Sequence, residues 1–341
     1  MKPATTDEVL DLLDASFIST ALGAALELGL FRLLDGRPLD VVEIARTLDI
    51  PPARCSYWLQ LLCRTGLLEE GADGYGPSPV SRGAILEAYS GETWALLAAE
   101  TGEQLGGLCR LPERLRRSGP PPAGPERPPY IVRMAGEPAR ARRFTRMLYE
   151  LHQPLSEILA DVLDLRGASR LMDVGGGSGV ISMSLARRNP GLEVVVIDIA
   201  TVCDAGREIA TENSLEDRIT YRPADFLRDE LPTGFDVVLE CDVNVYSGAL
   251  FRKVRESLNP GGRFLVIDQF APSQGVPHPS RLHWALEKSL ATAGFTFPTA
   301  AEIRDELEQA GFRVNPARSL PPVPGPCGRF TEGLVLLDAH R

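Results

Sequence analysis

The stretch Arg-Leu-Met-Asp-Val-Gly-Gly-Gly-Ser-Gly, from Arg170 to Gly179, constrains the fold of this chain more than any other. Leu171, Met172 and Val174 make a short apolar run of strand length, bounded by glycine. The glycines leave no side chain over the turn, so backbone N–H groups can approach a ligand where the next helix starts. That helix is predicted to begin near Val180. Its run Val-Ile-Ser-Met-Ser-Leu-Ala-Arg-Arg spaces apolar residues at helical intervals and ends on two arginines, where the helix dipole favours positive charge. The unit is strand, glycine loop, helix. Two nucleotide templates fail on it: from Gly175 the last position of the dinucleotide fingerprint falls on Val180, and no Gly-Lys-Ser/Thr follows to form a phosphate loop. What remains is an acid, Asp173, ahead of Gly175, Gly177 and Gly179. A carboxylate there suits a ligand carrying positive charge better than a pyrophosphate. A glycine-rich turn with no ligand is the plain alternative.

From about Ala168 onward strand and helix patterns alternate, which predicts a doubly wound, mostly parallel α/β sheet. The expected strands are Leu171 to Val174, Glu193 to Asp198, Ile219 to Pro223, Phe235 to Cys241, Arg263 to Gln269, a weak one near Arg313, and Gly333 to Asp338. Ligands of such sheets bind outside the carboxyl ends of the strands, so Asp173, Asp198, Asp225 and the segment after Leu239 should converge. Asp198 closes the second strand about 20 residues past the glycine turn, where a carboxylate can accept both hydroxyl protons of a ribose; a strand-end cap is its other reading.

Ahead of this domain, apolar residues recur at helical spacing from Glu8 to about Leu34, more of them than one face of a small domain can bury. Two further helices are expected over Pro38 to Leu48 and Pro51 to Leu68, then a two-stranded wing from Glu69 to Ser81 around Ala72-Asp73-Gly74, giving a winged helix-turn-helix. Such a fold raises DNA binding. The second helix, however, offers Arg54, Ser56, Tyr57 and Arg64 among Trp58, Leu59, Leu61 and Leu62, and the wing carries Glu69, Glu70 and Asp73 where a DNA binder needs lysine or arginine. With 36 basic against 46 acidic residues the net charge is −10, which also opposes nucleic acid as a partner. Another helix is expected over Glu92 to Leu115, a Pro/Gly-rich surface loop from Ser118 to Pro129, and helix again from Pro138 to Leu165. The domains are therefore drawn as residues 1–115, helical; 116–167, loop and linker helices; and 168–341, ligand-binding. No apolar run of membrane-spanning length and no signal peptide is read, so a cytoplasmic location without a membrane partner is expected. The six cysteines lack a Cys-x-x-Cys pair, which argues against zinc and against a disulfide framework.

The segment Asp173-Val-Gly-Gly-Gly-Ser-Gly179 resembles the first motif of class I S-adenosylmethionine-dependent methyltransferases, in the triple-glycine form of the plant-type O-methyltransferase family, which bacteria also use for secondary metabolites. Ala224-Asp225-Phe226 resembles that family's Gly-Asp-Phe motif, and Pro260-Gly261-Gly262 its turn before the fifth strand. These matches run in order from Leu171 to Asp268. The resemblance implies a seven-stranded class I methyltransferase sheet behind an N-terminal all-α winged-helix dimerisation domain, hence a homodimer in which each winged helix closes part of the partner's active site. It implies a cofactor site of Asp173, Gly175, Gly177, Asp198, Asp225, Phe226, Glu240 and Tyr246. It makes Arg143 to His152 a linker helix touching cofactor and substrate through Met147 and His152, and it places Phe270, Trp284, Phe295 and Phe297 around a flat, small-molecule acceptor.

Catalysis is where the chain departs from the family. The family's Leu-His-Asp-Trp, whose histidine takes the proton of the substrate hydroxyl, corresponds to Val243-Asn244-Val245-Tyr246 here, and its Gly-x-Glu-Arg-Thr segment to Gly294-Phe295-Thr296-Phe297-Pro298. An asparagine amide can orient a nucleophile but cannot take its proton near neutral pH. Three explanations stand. The acceptor is reactive enough that positioning suffices; or another base serves, His283 on the helix Arg281 to Thr292 first, then Asp242 and His152; or the fold has left methylation for another reaction while keeping S-adenosylmethionine. A metal is not expected, since metal-dependent members pair a His-Asp with a second histidine and of that set only His283 remains here. The reading is O-methylation of a small aromatic or polyketide-like secondary metabolite. Methylation at carbon or nitrogen is the runner-up, and a winged-helix regulator the alternative of another class.

Overall fold

Thr5 starts the first helix by a capping box: its hydroxyl accepts the Glu8 N–H, and the Glu8 carboxylate accepts the Thr5 N–H. In the computed structural model, which describes residues 3–108, 111–117, 130–272, 282–291, 296–322 and 333–341, this helix, α1, spans Thr6–Glu27. It stops at Gly29, whose φ of 71° is left-handed, and a short α2 (Leu30–Leu33) follows, so the single pattern read to Leu34 is two helices. Its most apolar window has a mean hydropathy of 1.6, long and apolar enough to cross a bilayer by length and composition. That corrects the expectation that no such run exists: between Asp14 and Glu27 no charge interrupts the chain, and scattered Ser, Thr and Gly disguise the run. Leu13 and Phe17 on it are 71% and 70% exposed, an apolar surface that this unit leaves uncovered.

Helix α3 (Val41–Thr47) is capped by the Asp40 carboxylate, which accepts the Val42 and Glu43 N–H groups at 2.8 Å, and α4 (Pro52–Arg64) opens with proline in its first turn. The wing forms as an antiparallel pair, β1 (Leu68–Gly71) with β2 (Gly74–Pro77), in the register Leu68 to Pro77. At Gly74 only glycine passes, because φ is 117° and a Cβ would lie 2.4 Å from the Leu39 carbonyl oxygen. A single turn, α5 (Pro79–Ser81), runs into a π-type turn at Arg82–Leu86 and then α6 (Gly91–Leu108). Leu30, Phe31, Leu34, Ile44, Leu59 and Leu62 fill the core of this unit, and the indole N–H groups of Trp58 and Trp94 reach the carbonyls of Ala21 and Ile85.

The chain divides into two compact units, Met1–Leu111 and Pro112–Arg341, with the short α7 (Leu111–Leu115) at the division. The second unit contains α8 (Tyr130–Gly136), α9 (Pro138–Val162), β3 (Arg170–Val174), α10 (Val180–Arg188), β4 (Glu193–Asp198), α11 (Ala200–Glu212), β5 (Ile219–Pro223), β6 (Phe235–Cys241), α12 (Gly248–Ser257), β7 (Leu258–Asp268), α13 (Leu282–Ala291), α14 (Ala300–Gln309), β8 (Arg313–Val314), β9 (Arg318–Ser319) and β10 (Val335–His340). The sheet order is β5-β4-β3-β6-β7-β10-β8, parallel from β5 to β7 and antiparallel at β10. Seven positions are filled as expected, but the outermost is shared. β8 pairs the last residues of β10 and β9 pairs its first, so the sheet counts eight strands rather than seven.

One further local expectation changes. Pro260-Gly261-Gly262 is not a turn ahead of the strand but a bulge within β7: Phe235 pairs with Leu258 and Val237 with Arg263, leaving the extra residues looped out at Gly261, where φ is 79°. Between β3 and β6 the winding reverses, since β4 and β5 lie on one side of β3 and β6 and β7 on the other. That reversal is the switch point at which an open α/β sheet leaves a crevice for a ligand. Beneath it Phe264 meets Phe251 edge to face and Phe312 at a tilt, each pair with ring centroids 6.0 Å apart, inside a core that includes Met172, Val174, Ile197 and Val238.

Candidate active site

At the switch point the glycine turn takes the conformation its composition requires. Gly175, Gly177 and Gly179 have φ of 70°, 58° and 74°, and the Gly175 N–H donates to the Ile197 carbonyl, tying the turn to the end of β4. Asp173, next to last in β3, is almost fully buried and accepts the Ser182 hydroxyl at 2.7 Å. Its carboxyl lies directly under Gly176, where a Cβ would come within 2.5 Å of it. Asp198, at the end of β4, accepts the Gly177 N–H at 3.0 Å and the Ile199 N–H at 2.7 Å. Burial pushes the Asp173 carboxyl up to about 7 despite the Ser182 hydrogen bond, and pushes Asp198 up to about 6 against its two N–H donors. Over Gly177 there is open space among the described residues, with none of their heavy atoms within 4 Å of the position a Cβ would take.

The other edge of this crevice is the loop after β6. Val243 covers Gly175, its Cγ2 lying 2.8 Å from where a Cβ would stand. On either side of it Asp242 and Asn244 are held at φ of 55° and 60°, a left-handed backbone that costs about 1 kcal/mol or more at residues other than glycine and collects at functional sites. The Asn244 amide donates to Asp242 Oδ1 at 3.2 Å, and His152 of α9 faces the other oxygen, its Nε2 at 3.9 Å from Asp242 Oδ2. Just behind, Glu240 is 1% exposed, and among the described residues neither of its carboxyl oxygens has a hydrogen-bond partner. Its proton is held well above the usual carboxylate range, by burial first and then by the charges of Asp268 and Asp242; the nearby N–H groups of Val243 and Asn244 offset this only in part. Tyr246 donates its hydroxyl to Asp268 and sets its ring against Phe270, 5.9 Å between centroids.

The structure therefore brings Asp173, Gly175, Gly177 and Asp198 together on one edge, and Glu240, Asp242, Asn244, Tyr246 and His152 around the loop that touches it. Met147 is buried on α9 five residues before His152. Asp225 is engaged locally: its carboxylate accepts the Leu227 N–H and faces Arg228 at 3.6 Å, while Phe226 packs on the sheet core. Trp284 stacks on the buried Phe297 at 4.9 Å, His283 stands exposed at the start of α13, and Phe295 lies outside the described residues. Two residues that shape the site were not read from the sequence. Ser182 pins Asp173, and Tyr221 donates its hydroxyl to the Ser178 carbonyl at 2.7 Å under the turn. The signal for Tyr221 was there in its inward place on alternating β5, two residues after Ile219.

Two carboxylates whose burial opposes their ionisation, flanking bare backbone with open space over it, fit a cationic adenosyl ligand: a positive charge entering here would favour the ionised forms. The fold and this crevice define an S-adenosylmethionine-dependent class I methyltransferase. The chain belongs to the O-methyltransferase family, whose O-methyltransferase domain matches residues 130–313 and whose dimerisation domain matches residues 10–87. The winged helix and the uncovered face of α1 thus belong to a module for self-association. Among relatives, the chain is 28% identical over 93% of its length to the N,N-dimethyltransferase OxyT of Streptomyces rimosus, covering 93% of that protein. It is 29% identical to the 3-hydroxy-5-methyl-1-naphthoate 3-O-methyltransferase of Streptomyces sahachiroi, covering 88% of each chain. The structure of PigF with SAH superposes with a TM-score of 0.83 at 22% identity, over 99% of this chain and 100% of that one.

Proposed function

We propose that the protein transfers the methyl group of S-adenosylmethionine to a hydroxyl of a small aromatic or polyketide-like secondary metabolite, working in the cytoplasm as a homodimer with neither nucleic acid nor membrane as partner. Residues 1–115 serve dimerisation, 116–167, whose Pro/Gly-rich stretch 118–129 lies outside the described residues, link the two parts, and 168–341 hold the cofactor. The observation that carries this reading is the polar cluster His152, Asp242 and Asn244, attached through Val243 to the glycine turn and so set beside the cofactor crevice. Similarity to a methyltransferase of a hydroxynaphthoate supports an aromatic acceptor. When bound, S-adenosylmethionine supplies a methyl on a sulfonium, open to in-line displacement by an acceptor oxygen. Asp173, Asp198 and the N–H groups of the turn hold and orient it, while Tyr246, Phe270 and Met147 keep water from the reacting oxygen. The test is product analysis with hydroxynaphthoates and methyl-labelled S-adenosylmethionine. An O-methyl product is expected; a methyl found on nitrogen or carbon, or none transferred, would overturn the proposal.

The two raised carboxyls also give cofactor binding a pH dependence. In the ligand-free protein both carry folded-state values above the ordinary carboxylate one of about 4. Their contribution to stability is therefore full below pH of about 4 and is lost as pH rises through about 6 and 7. A ligand bearing positive charge binds the ionised forms, so protons compete with it over the same window. S-adenosylhomocysteine, with its ammonium group, should raise the melting temperature more at pH 8 than at pH 5.5, and its affinity by calorimetry should fall by up to about tenfold per pH unit for each protonated carboxyl. A pH-independent affinity over that range would separate these carboxylates from the ligand.

A further inference from the structure

The family's loop histidine is Asn244 here, and the geometry around it shows where a proton can go instead. His152 Nδ1 lies 2.9 Å from the Leu148 carbonyl oxygen one turn back on α9. A carbonyl only accepts, so Nδ1 keeps its proton in both charge states, and in the neutral ring the lone pair is on Nε2. Nε2 points to the loop after β6, where Asp242 Oδ2 stands 3.9 Å away. That distance is too long for a direct hydrogen bond, so the lone pair is not consumed, yet it is short enough for an ion pair once the ring is charged. Asn244 Nδ2 holds the other oxygen of Asp242 at 3.2 Å, which fixes the carboxylate toward the ring.

We infer that His152 Nε2 is the general base of the methyl transfer, with Asp242 as its ion-pair partner and Asn244 as the residue that positions Asp242. The base has thus moved from the loop after β6 to the facing helix. This inference rests on the hydroxyl-transfer reading. As the acceptor oxygen forms its bond to the methyl carbon, the S–CH3 bond breaks and its electron pair stays on sulfur as a neutral thioether. The hydroxyl proton passes to Nε2, and the imidazolium is held against Asp242 until water takes the proton. Asp242 faces the ring from the loop after β6 and draws its proton affinity upward, while α9 contributes the Leu148 carbonyl in the same sense and burial opposes both. His283, by contrast, stands exposed on α13.

The test uses the whole enzyme, hydroxynaphthoates as acceptors and three variants, His152→Ala, His152→Gln and Asp242→Asn. His152→Ala should lower kcat by about 100-fold or more while leaving S-adenosylhomocysteine affinity within about twofold. The acidic limb of the kcat profile should vanish in His152→Gln and move to lower pH in Asp242→Asn. Nitrogen-15 NMR of the four histidines, with His152→Gln for assignment, should find the neutral His152 ring protonated on Nδ1, titrating lower once Asp242 is neutralised. A purely structural histidine would cost stability or acceptor KM and leave the limb in place. An unmoved limb, an Nε2–H tautomer, or a His152→Ala rate within about threefold of the wild type overturns the base alone. A wild type that binds S-adenosylhomocysteine but methylates no hydroxyl overturns the hydroxyl reading and the base with it.

Discussion

Asp198→Ala is expected to weaken the binding of S-adenosylhomocysteine by about 100-fold or more. The carboxylate sits at the end of β4 with one oxygen on the Gly177 N–H and the other on the Ile199 N–H, so it both faces the crevice and holds the turn that floors it. If it also takes two ribose hydroxyls, as its place at the end of the strand suits, each hydrogen bond to a charged group contributes about 1.5–3 kcal/mol, and two of them about 3–6 kcal/mol, which is about 100-fold or more in affinity. Asp198→Asn keeps the size and one acceptor oxygen, and should fall between, near tenfold. The ligand-free protein should lose little stability at pH 8, because burial already opposes this carboxylate's charge and its removal relieves that cost. Calorimetry with S-adenosylhomocysteine reads the first two numbers and thermal unfolding the third. Wild-type affinity in Asp198→Ala would take the residue out of the site, and a large drop in ligand-free stability would make it a structural cap of β4 instead.

The cofactor edge of this site is legible in the sequence because its parts are local. An apolar run, an acid and three glycines lie within one strand–turn–helix unit, and Asp198 is placed by the period of the fold, one strand further on. The strands of the second unit are legible for the same reason, being short β-branched runs between helical patterns. What was not legible depends on approach through space. The cluster of His152, Asp242 and Asn244 joins residues about ninety positions apart, and nothing in the spacing ranks His152 above His283 until α9 is laid against the loop after β6. Asp225 read as a ligand residue, and in the fold one oxygen of its carboxylate also accepts the Leu227 N–H of its own turn, a contact the motif did not reveal. The outer edge of the sheet was equally hidden, since β8 and β9 have two residues each and take strand form only because β10 offers them a partner. In the first unit, the helical period of α1 was visible, but the period does not say which apolar residues the unit itself can cover.

Gly206→Ala is expected to destabilise the second unit by about 2 kcal/mol, although the position is on a helix and outside the site. Exchange of a mid-helix glycine for alanine ordinarily gains about 1 kcal/mol. Here a Cβ on α11 would stand 2.1 Å from Cε1 of Tyr221, well inside contact distance, so the ring or the helix must shift. The ring has little room on its far side, because its hydroxyl already lies 2.3 Å from where a Cβ on Gly179 would be and is bonded to the Ser178 carbonyl. Overpacking of a core costs about 1–3 kcal/mol, and a side chain wedged between two glycines belongs at the upper end, which outweighs the helical gain. Thermal unfolding should fall by about 4–8 °C. The cause can be isolated by a double-mutant cycle: Tyr221→Ala alone opens a cavity and frees the Ser178 carbonyl, but in the Gly206→Ala background it also removes the clash, so the two losses should sum to more than the double variant shows. Strict additivity would mean that the ring and the helix do not press on each other. Because Tyr221 props the turn that carries Gly177, Gly206→Ala should also weaken S-adenosylhomocysteine binding, and a variant that loses stability at unchanged affinity would show that the turn keeps its shape without that prop.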